Sequence, residues 1–217
     1  MRRLLSTLLL CVSLFPAALT AQEGPGPGGE GMDAARAAFL DGRYRDAEEH
    51  LGVLLRSGAL EAGLRAEAQG LLERASAWRM VTGPLHREPM GGGLELLAAE
   101  GEWAVLRPLV EEVLQGTAVA FPGPMSKAPV FRVVILPEAE QFAVVSDLGV
   151  ADVLGAGVRG VTLARTLFVL SPSAEVAGYD WQRVLAHELL HFLAHSLAQG
   201  ALPIWFEEGL AWSLDDL

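Results

Sequence analysis

The stretch Trp181 to Leu197, WQRVLAHELLHFLAHSL, constrains the fold of this chain more than any other. It is helix-compatible throughout, with Gly200 just beyond it as a stop signal. Apolar residues fall on nearly every side of such a helix (Val184, Leu185, Leu189, Leu190 and Phe192). A helix that is apolar nearly all round is buried. We therefore expect this segment at the centre of a folded domain, together with the imidazole and carboxyl groups that it contains.

Two of those polar groups have the spacing of metal ligands, and a third lies next to them. His187 and His191 are four residues apart, so both imidazoles lie on one face of the helix and can reach a single ion. Glu188 lies about 100° further round the helix, so it should flank the metal rather than bind it. There it could accept a proton from a metal-bound water.

A third ligand could come from Glu207 or Glu208, which lie in the segment LPIWFEEGLA shortly after the helix. Spacing and periodicity do not choose between these two carboxylates. His195 continues the i+4 series and is a further candidate ligand or electrophile. Its place one turn beyond His191 favours a role at the helix end or in a core hydrogen bond.

HELLH followed by LPIWFEEGLA resembles the peptidase MA-like (gluzincin) superfamily, which is related to thermolysin and the aminopeptidases. In that pattern, Trp-x-x-Glu-Gly-x-Ala on a following helix supplies the third ligand, and the match assigns this role to Glu208. The resemblance thus implies Zn²⁺ held by His187, His191 and Glu208, with Glu188 activating a zinc-bound water. It implies hydrolysis of peptide or protein substrates, and we expect an endopeptidase.

The resemblance extends upstream through VFRVVILPEAEQF and GVRGVTLARTLFVLSP, so that it covers about residues 94–217. It implies a zincin-like fold of the α+β class, with a small twisted sheet over the active-site helix. An edge strand near Gly157 to Leu163 would bind extended peptide by main-chain pairing. From the residues themselves we expect a buried strand at Val130 to Leu136, short strands at 161–163 and 166–170, and loops at 85–93 and 121–129. Glycines at 155, 157 and 160 predict an irregular stretch between the helix that follows the 130–136 strand and the short strands.

The resemblance breaks down after Glu208, where the family usually places a Tyr or His that stabilises the oxyanion. Neither residue type occurs from Gly209 to Leu217, so we expect the catalytic domain to continue beyond this chain or to work without that group. Asp215 is a candidate partner for a ligand imidazole. The alternative function is a catalytically inactive, zinc-binding scaffold or interaction protein of the cell envelope.

The N-terminus predicts export. Residues 1–21 combine Arg2 and Arg3 with a short apolar run and a small-residue end, which is typical of a secretory signal peptide; an uncleaved anchor is the alternative. Cleavage would remove the only cysteine, Cys11, and leave no transmembrane segment. We expect a periplasmic or secreted protein of a bacterial envelope, without disulfides.

A Gly/Pro-rich linker is expected at 22–32, followed by a helical segment at 33–80. AARAAFLDGRYRDAEEHL resembles a tetratricopeptide repeat, through Gly42, Tyr44 and Ala47, although a plain helical hairpin fits the pattern equally well. This segment could bind a protein partner. The formal net charge of −11 argues against nucleic-acid binding through phosphates.

Overall fold

The computed structural model describes residues 29–198 and 202–212. The expected signal peptide and most of the expected linker lie outside these residues, as does Asp215. The first helix, α1, spans Gly29–Leu40 and so begins within the segment assigned to the linker. Among the described residues, no helix has both the length and the apolar content needed to cross a membrane.

Contacts divide the described chain into two units. The helical unit, residues 29–84, contains α1, α2 (Tyr44–Ser57) and α3 (Ala62–Thr82). α2 has a strongly apolar face, whose residues meet those of α1 and α3 in a core of small and aliphatic side chains (Met32, Ala35, Leu51, Leu60 and Ala68). An aromatic cluster adds to this unit, where the rings of Phe39 and Trp78 lie 4.8 Å apart.

The sheet unit, residues 85–212, contains every strand of the described chain. In chain order its elements are β1 (His86–Gly91), β2 (Leu94–Ala98), α4 (Trp103–Ala120), α5 (Pro122–Lys127), β3 (Arg132–Leu136), α6 (Ala139–Ser146), α7 (Val150–Ala156), β4 (Gly160–Leu163), β5 (Thr166–Leu170), a 3-10 turn (Pro172–Ala174), α8 (Trp181–Leu197) and α9 (Ile204–Trp212). Helices and strands are mixed along this unit, and the fold class is α+β, as predicted.

The five described strands form one mixed sheet in the order β1-β2-β3-β5-β4. β2, β3 and β5 run parallel to one another, whereas β1 and β4 pair antiparallel at the two edges. The parallel centre has the β-branched and apolar residues expected of strands covered on both faces, and residues 133–136 of β3 are fully buried. The predicted buried strand at Val130 to Leu136 is thus confirmed, with its ladder beginning at Arg132.

α8 lies against β4 and β5 of this sheet, and its other neighbours include α4 and α9. Its buried residues line one continuous apolar core with β2, β3 and β5 (among them Trp181, Val184, Leu185, Leu189 and Phe192). The predicted burial of this helix is confirmed, since ten of its residues are buried, including His187, Glu188 and His191.

Three local expectations were wrong. The segment 85–93 forms β1 and a turn instead of a loop: its alternating exposure is that of an edge strand, where Pro89 is tolerated. The segment 121–129 contains α5, which Pro122 can begin because proline suits the first helical turn. The stretch predicted to be irregular from glycines 155, 157 and 160 overlaps the end of α7, which Gly157 ends in the left-handed region at φ 72°.

Candidate metal centre

The first part of the centre is a pair of imidazoles on α8. The Asp180 side chain caps this helix by accepting a hydrogen bond from the Arg183 backbone N–H at 3.2 Å. Two turns further on, His187 and His191 are 4 % and 2 % exposed, and their Nε2 atoms lie 3.1 Å apart. The spacing that sequence analysis singled out therefore brings both ring nitrogens to one point inside the fold.

The second part is a carboxylate from α9, which packs against α8. Glu208 Oε2 lies 3.7 Å from His187 Nε2, and Glu208 Oε1 lies 3.6 Å from His191 Nε2. The Glu208 side chain is 23 % exposed, so the centre is buried on the α8 side and borders solvent on the α9 side. The structure thus brings Glu208 to the two imidazoles, while the side chain of Glu207 lies outside what it describes.

The spacing of these donors leaves room for one small metal ion. Zn–N and Zn–O bonds of about 2.0–2.1 Å at tetrahedral angles place neighbouring ligand atoms roughly 3.3 Å apart. The two imidazole nitrogens, 3.1 Å apart, are close to that value, and each Glu208 oxygen lies within 3.7 Å of one of them. Within residues 29–198 and 202–212, no other group of three His, Cys, Asp or Glu side chains brings such atoms within 4.8 Å of one another.

The electrostatics of the pair also suit metal binding. Burial lowers the pKa of His191 to about 4, and the neighbouring His187 and His195 rings lower it in the same direction. The imidazole is therefore neutral at physiological pH, and the neutral form is the one that binds metal ions. The Glu208 carboxylate would supply the negative charge in this donor set.

Glu188 lies beside the donor set and not within it. The residue is 1 % exposed. Its Oε2 accepts a hydrogen bond from the hydroxyl of Thr162 on β4 at 2.8 Å, and the same hydroxyl lies 2.9 Å from the Glu188 backbone carbonyl. A carboxylate that follows His187 in the helix and is held against the sheet edge is placed to accept a proton while remaining outside the donor set.

Gly160 and Thr162 are the residues that sequence reasoning missed. Both lie on β4, for which sequence analysis predicted an edge strand that pairs with substrate, but no contact with Glu188. A Cβ atom at Gly160 would lie 2.7 Å from Glu188 Cγ and 2.8 Å from Glu188 Oε1, so glycine is required for this close approach. Neither residue belongs to a recognisable sequence motif, because its partner, Glu188, is more than 25 positions away along the chain.

His195, a further candidate from the sequence, lies outside the donor set and is partly buried one turn beyond His191. Two other polar rings of this unit have partners of their own. The Tyr179 hydroxyl donates to the Leu170 carbonyl, its ring lies 5.1 Å from the Arg159 guanidinium carbon, and burial raises its pKa. His86 stacks on Trp103 with ring centroids 4.5 Å apart.

Comparisons of the chain with protein-family models, with curated proteins and with solved structures found no match.

Proposed function

We propose that this protein is a zinc metallopeptidase of the gluzincin type, with a zincin-like sheet unit. The observation that supports this most is the convergence of His187, His191 and Glu208 from two helices on one point, with Glu188 buried beside them. Structural zinc sites are usually closed by four protein ligands, whereas catalytic sites keep three and leave a position open. A set of two imidazoles and one carboxylate has the catalytic composition.

Zn²⁺ is the proposed cofactor, since imidazole and carboxylate donors at tetrahedral spacing suit it. When bound, it would lower the pKa of a water molecule to near neutrality and polarise the scissile carbonyl of a peptide. His187 and His191 would hold the ion as neutral ligands, and Glu208 would do so as a carboxylate.

Glu188 is the proposed general base. It follows His187 directly in α8, so the ligand and the base are fixed by the same turn of helix. Glu188 would take a proton from the attacking water and then deliver it to the amine that leaves the cleaved peptide bond. Burial serves this role, because in a site of low dielectric the charge is not dispersed by bulk water.

The edge strand β4 offers a binding surface for an extended peptide. The Leu170 N–H donates to the Arg159 carbonyl at 2.8 Å, which makes these two residues a hydrogen-bonded antiparallel pair. Hydrogen-bonded and non-hydrogen-bonded pairs alternate along an antiparallel ladder. Gly160 and Thr162 therefore belong to non-hydrogen-bonded pairs with β5, and their N–H and C=O groups point away from β5. A substrate strand could pair with these groups by β-augmentation.

The proposal is tested by peptide hydrolysis with purified protein and its Glu188→Gln variant. The amide keeps the size of the side chain but cannot act as a base, so hydrolysis should fall by about 10²–10⁴-fold. Zinc content should be unchanged, because Glu188 lies outside the donor set. Equal hydrolysis by both proteins would contradict the mechanism; zinc binding with no cleavage by the wild type would instead favour the inactive scaffold.

We also propose that the protein is exported to the periplasm or secreted, on the strength of the N-terminal sequence. The helical unit is a candidate surface for a protein partner, by its resemblance to a tetratricopeptide repeat. Fractionation of cells that produce the full chain would test the first of these proposals, and affinity capture with the helical unit would test the second.

A further inference from the structure

The edge strand β4 is tied to α8 through the proposed general base. The Thr162 hydroxyl lies within hydrogen-bonding distance of both the carboxylate and the backbone carbonyl of Glu188. Thr162 is 5 % exposed and Glu188 is 1 % exposed, so water has little access to this contact. Hydrogen bonds to ionised groups are among the stronger ones in proteins, and burial strengthens their electrostatic part.

Gly160 contributes to the same arrangement by its lack of a side chain. Residues 160 and 162 are two apart on β4, so they share one face of the strand. A Cβ at Gly160 would also lie 2.7 Å from Val184 Cγ1, so the backbone of β4 packs directly against side chains of α8 at this point. Glu188 Oε1 lies against Gly160, while Oε2 accepts from Thr162.

From these contacts we propose that Thr162 is a positioning residue for Glu188, an inference that rests on the proposed function. A glutamate side chain has several rotatable bonds and many accessible rotamers. The Thr162 donor fixes one of its two oxygens, and with it the orientation of the whole carboxylate. Thr162 acts through Glu188 and touches neither the ion nor the reacting atoms.

One consequence concerns substrate binding. The main-chain groups of Gly160 and Thr162 point to the free edge of the sheet, where an extended peptide would pair, while Gly160 and the Thr162 side chain contact Glu188. The strand that would bind the substrate is therefore also the strand that holds the base. Substrate register and base position are set by the same two residues.

The test compares Thr162→Val, which keeps the β-branched shape, with Thr162→Ser, which keeps the hydroxyl. Thr117→Val is the matched control, since Thr117 is also buried and its hydroxyl donates to the Val113 carbonyl within α4. For Thr162→Val we expect kcat to fall about tenfold to a hundredfold, the equivalent of one charge-assisted hydrogen bond. KM should change by less than about twofold and zinc content should not change, because a positioning role acts on the chemical step. Thr162→Ser and Thr117→Val should keep most of the activity.

A second readout needs neither zinc nor activity. Thermal midpoints of the metal-free protein are measured for Thr162→Val, Glu188→Ala and the double variant. Thr162→Val should lower the midpoint by about 4 °C or more when Glu188 is present, and by clearly less when it is absent. If the valine variant does not fold, Thr162→Ala and Thr162→Ser are compared in the same way.

The inference is overturned if Thr162→Val keeps the wild-type kcat, or if it lowers the midpoint equally in both backgrounds. If the wild type cleaves no peptide, the proposed function fails by itself. The midpoint comparison then still decides whether Thr162 holds the Glu188 carboxylate.

Discussion

The helical unit and the sheet unit differ in what they bury. In the helical unit the charged side chains pair at the surface, as between Arg36 and Glu67 at 2.6 Å and between Arg79 and Glu48 at 2.7 Å. Such exposed pairs contribute about 0–1 kcal/mol each. The core of this unit is apolar, and the buried Thr82 hydroxyl donates to a carbonyl of its own helix.

The sheet unit buries two imidazoles and a carboxylate in its central helix. Taking ionisable groups out of water costs free energy unless they are paired, ligated or neutral. An apolar helix in the same place would stabilise the fold as well or better. The helical unit therefore buries groups that stabilise it by packing, whereas the centre of α8 buries ionisable groups at a cost in stability, as is typical of a functional site.

The largest expected effect on zinc binding is that of removing one imidazole from the sheet unit. His191→Ala should abolish zinc binding, because two remaining donors cannot hold the ion against water. His195→Ala is the control: it removes an imidazole from the next turn of the same helix and should leave one zinc per chain. Metal analysis of both purified variants checks this. Undiminished zinc in His191→Ala would break the assignment.

Removal of the Glu208 carboxylate on α9 should have the next largest effect on zinc binding. Glu208→Gln should weaken zinc binding by about a hundredfold or more, since removal of a ligand should cost at least as much as removal of its outer-sphere partner. Glu207→Gln should bind zinc like the wild type. Competition with a chromophoric chelator measures both affinities, and the reverse result would show that Glu207 is the ligand.

The stability of the metal-free protein should depend on pH, because the sheet unit buries the His191 imidazole. The pKa of His191 is lowered to about 4 in the folded state, against about 6.5 when unfolded. Between these values the unfolded chain takes up a proton that the folded chain does not, so stability is lost as pH falls from about 6.5 to about 4. The loss attributable to His191 is at most about 3 kcal/mol. Urea unfolding against pH measures it. His191→Gln should flatten the curve, and His195→Gln should flatten it much less, because burial is the larger cause of the His191 shift.

Removal of the helical unit should have the smallest effect. A chain that begins at Pro84 should bind one zinc with affinity within about twofold of the full chain, since the donor atoms all lie in the sheet unit. Circular dichroism verifies folding, and metal analysis gives the stoichiometry. A folded truncation that binds no zinc would show that the two units are not independent in function.

The parts of the fold that the sequence predicted are local ones. The pairing of His187 with His191 follows from helical periodicity alone, and the buried β3 strand follows from its apolar run. The choice of Glu208 over Glu207 as the candidate third ligand came from the resemblance, because periodicity gives no reason why the face of α9 with Glu208 should turn towards α8.

The parts that sequence analysis missed depend on tertiary contacts. Gly160 and Thr162 matter only because β4 lies over Glu188, which no spacing in the chain encodes. β1 was missed because Pro89 and charged residues hide an edge strand, and α7 was missed because glycines near its end suggested irregular structure. Contacts between residues distant in sequence are not visible in local propensity.

Catalysis at this centre can be measured by titrating zinc into the metal-free protein while peptide hydrolysis is followed. If the centre is catalytic, there should be no hydrolysis without zinc, a linear rise as zinc is added, and a break at one equivalent per chain. Glu188→Gln should bind the same single equivalent and stay about 10²–10⁴-fold less active throughout. Full hydrolysis by the metal-free protein, or a response to zinc that Glu188→Gln shares in size, would contradict catalysis at this centre.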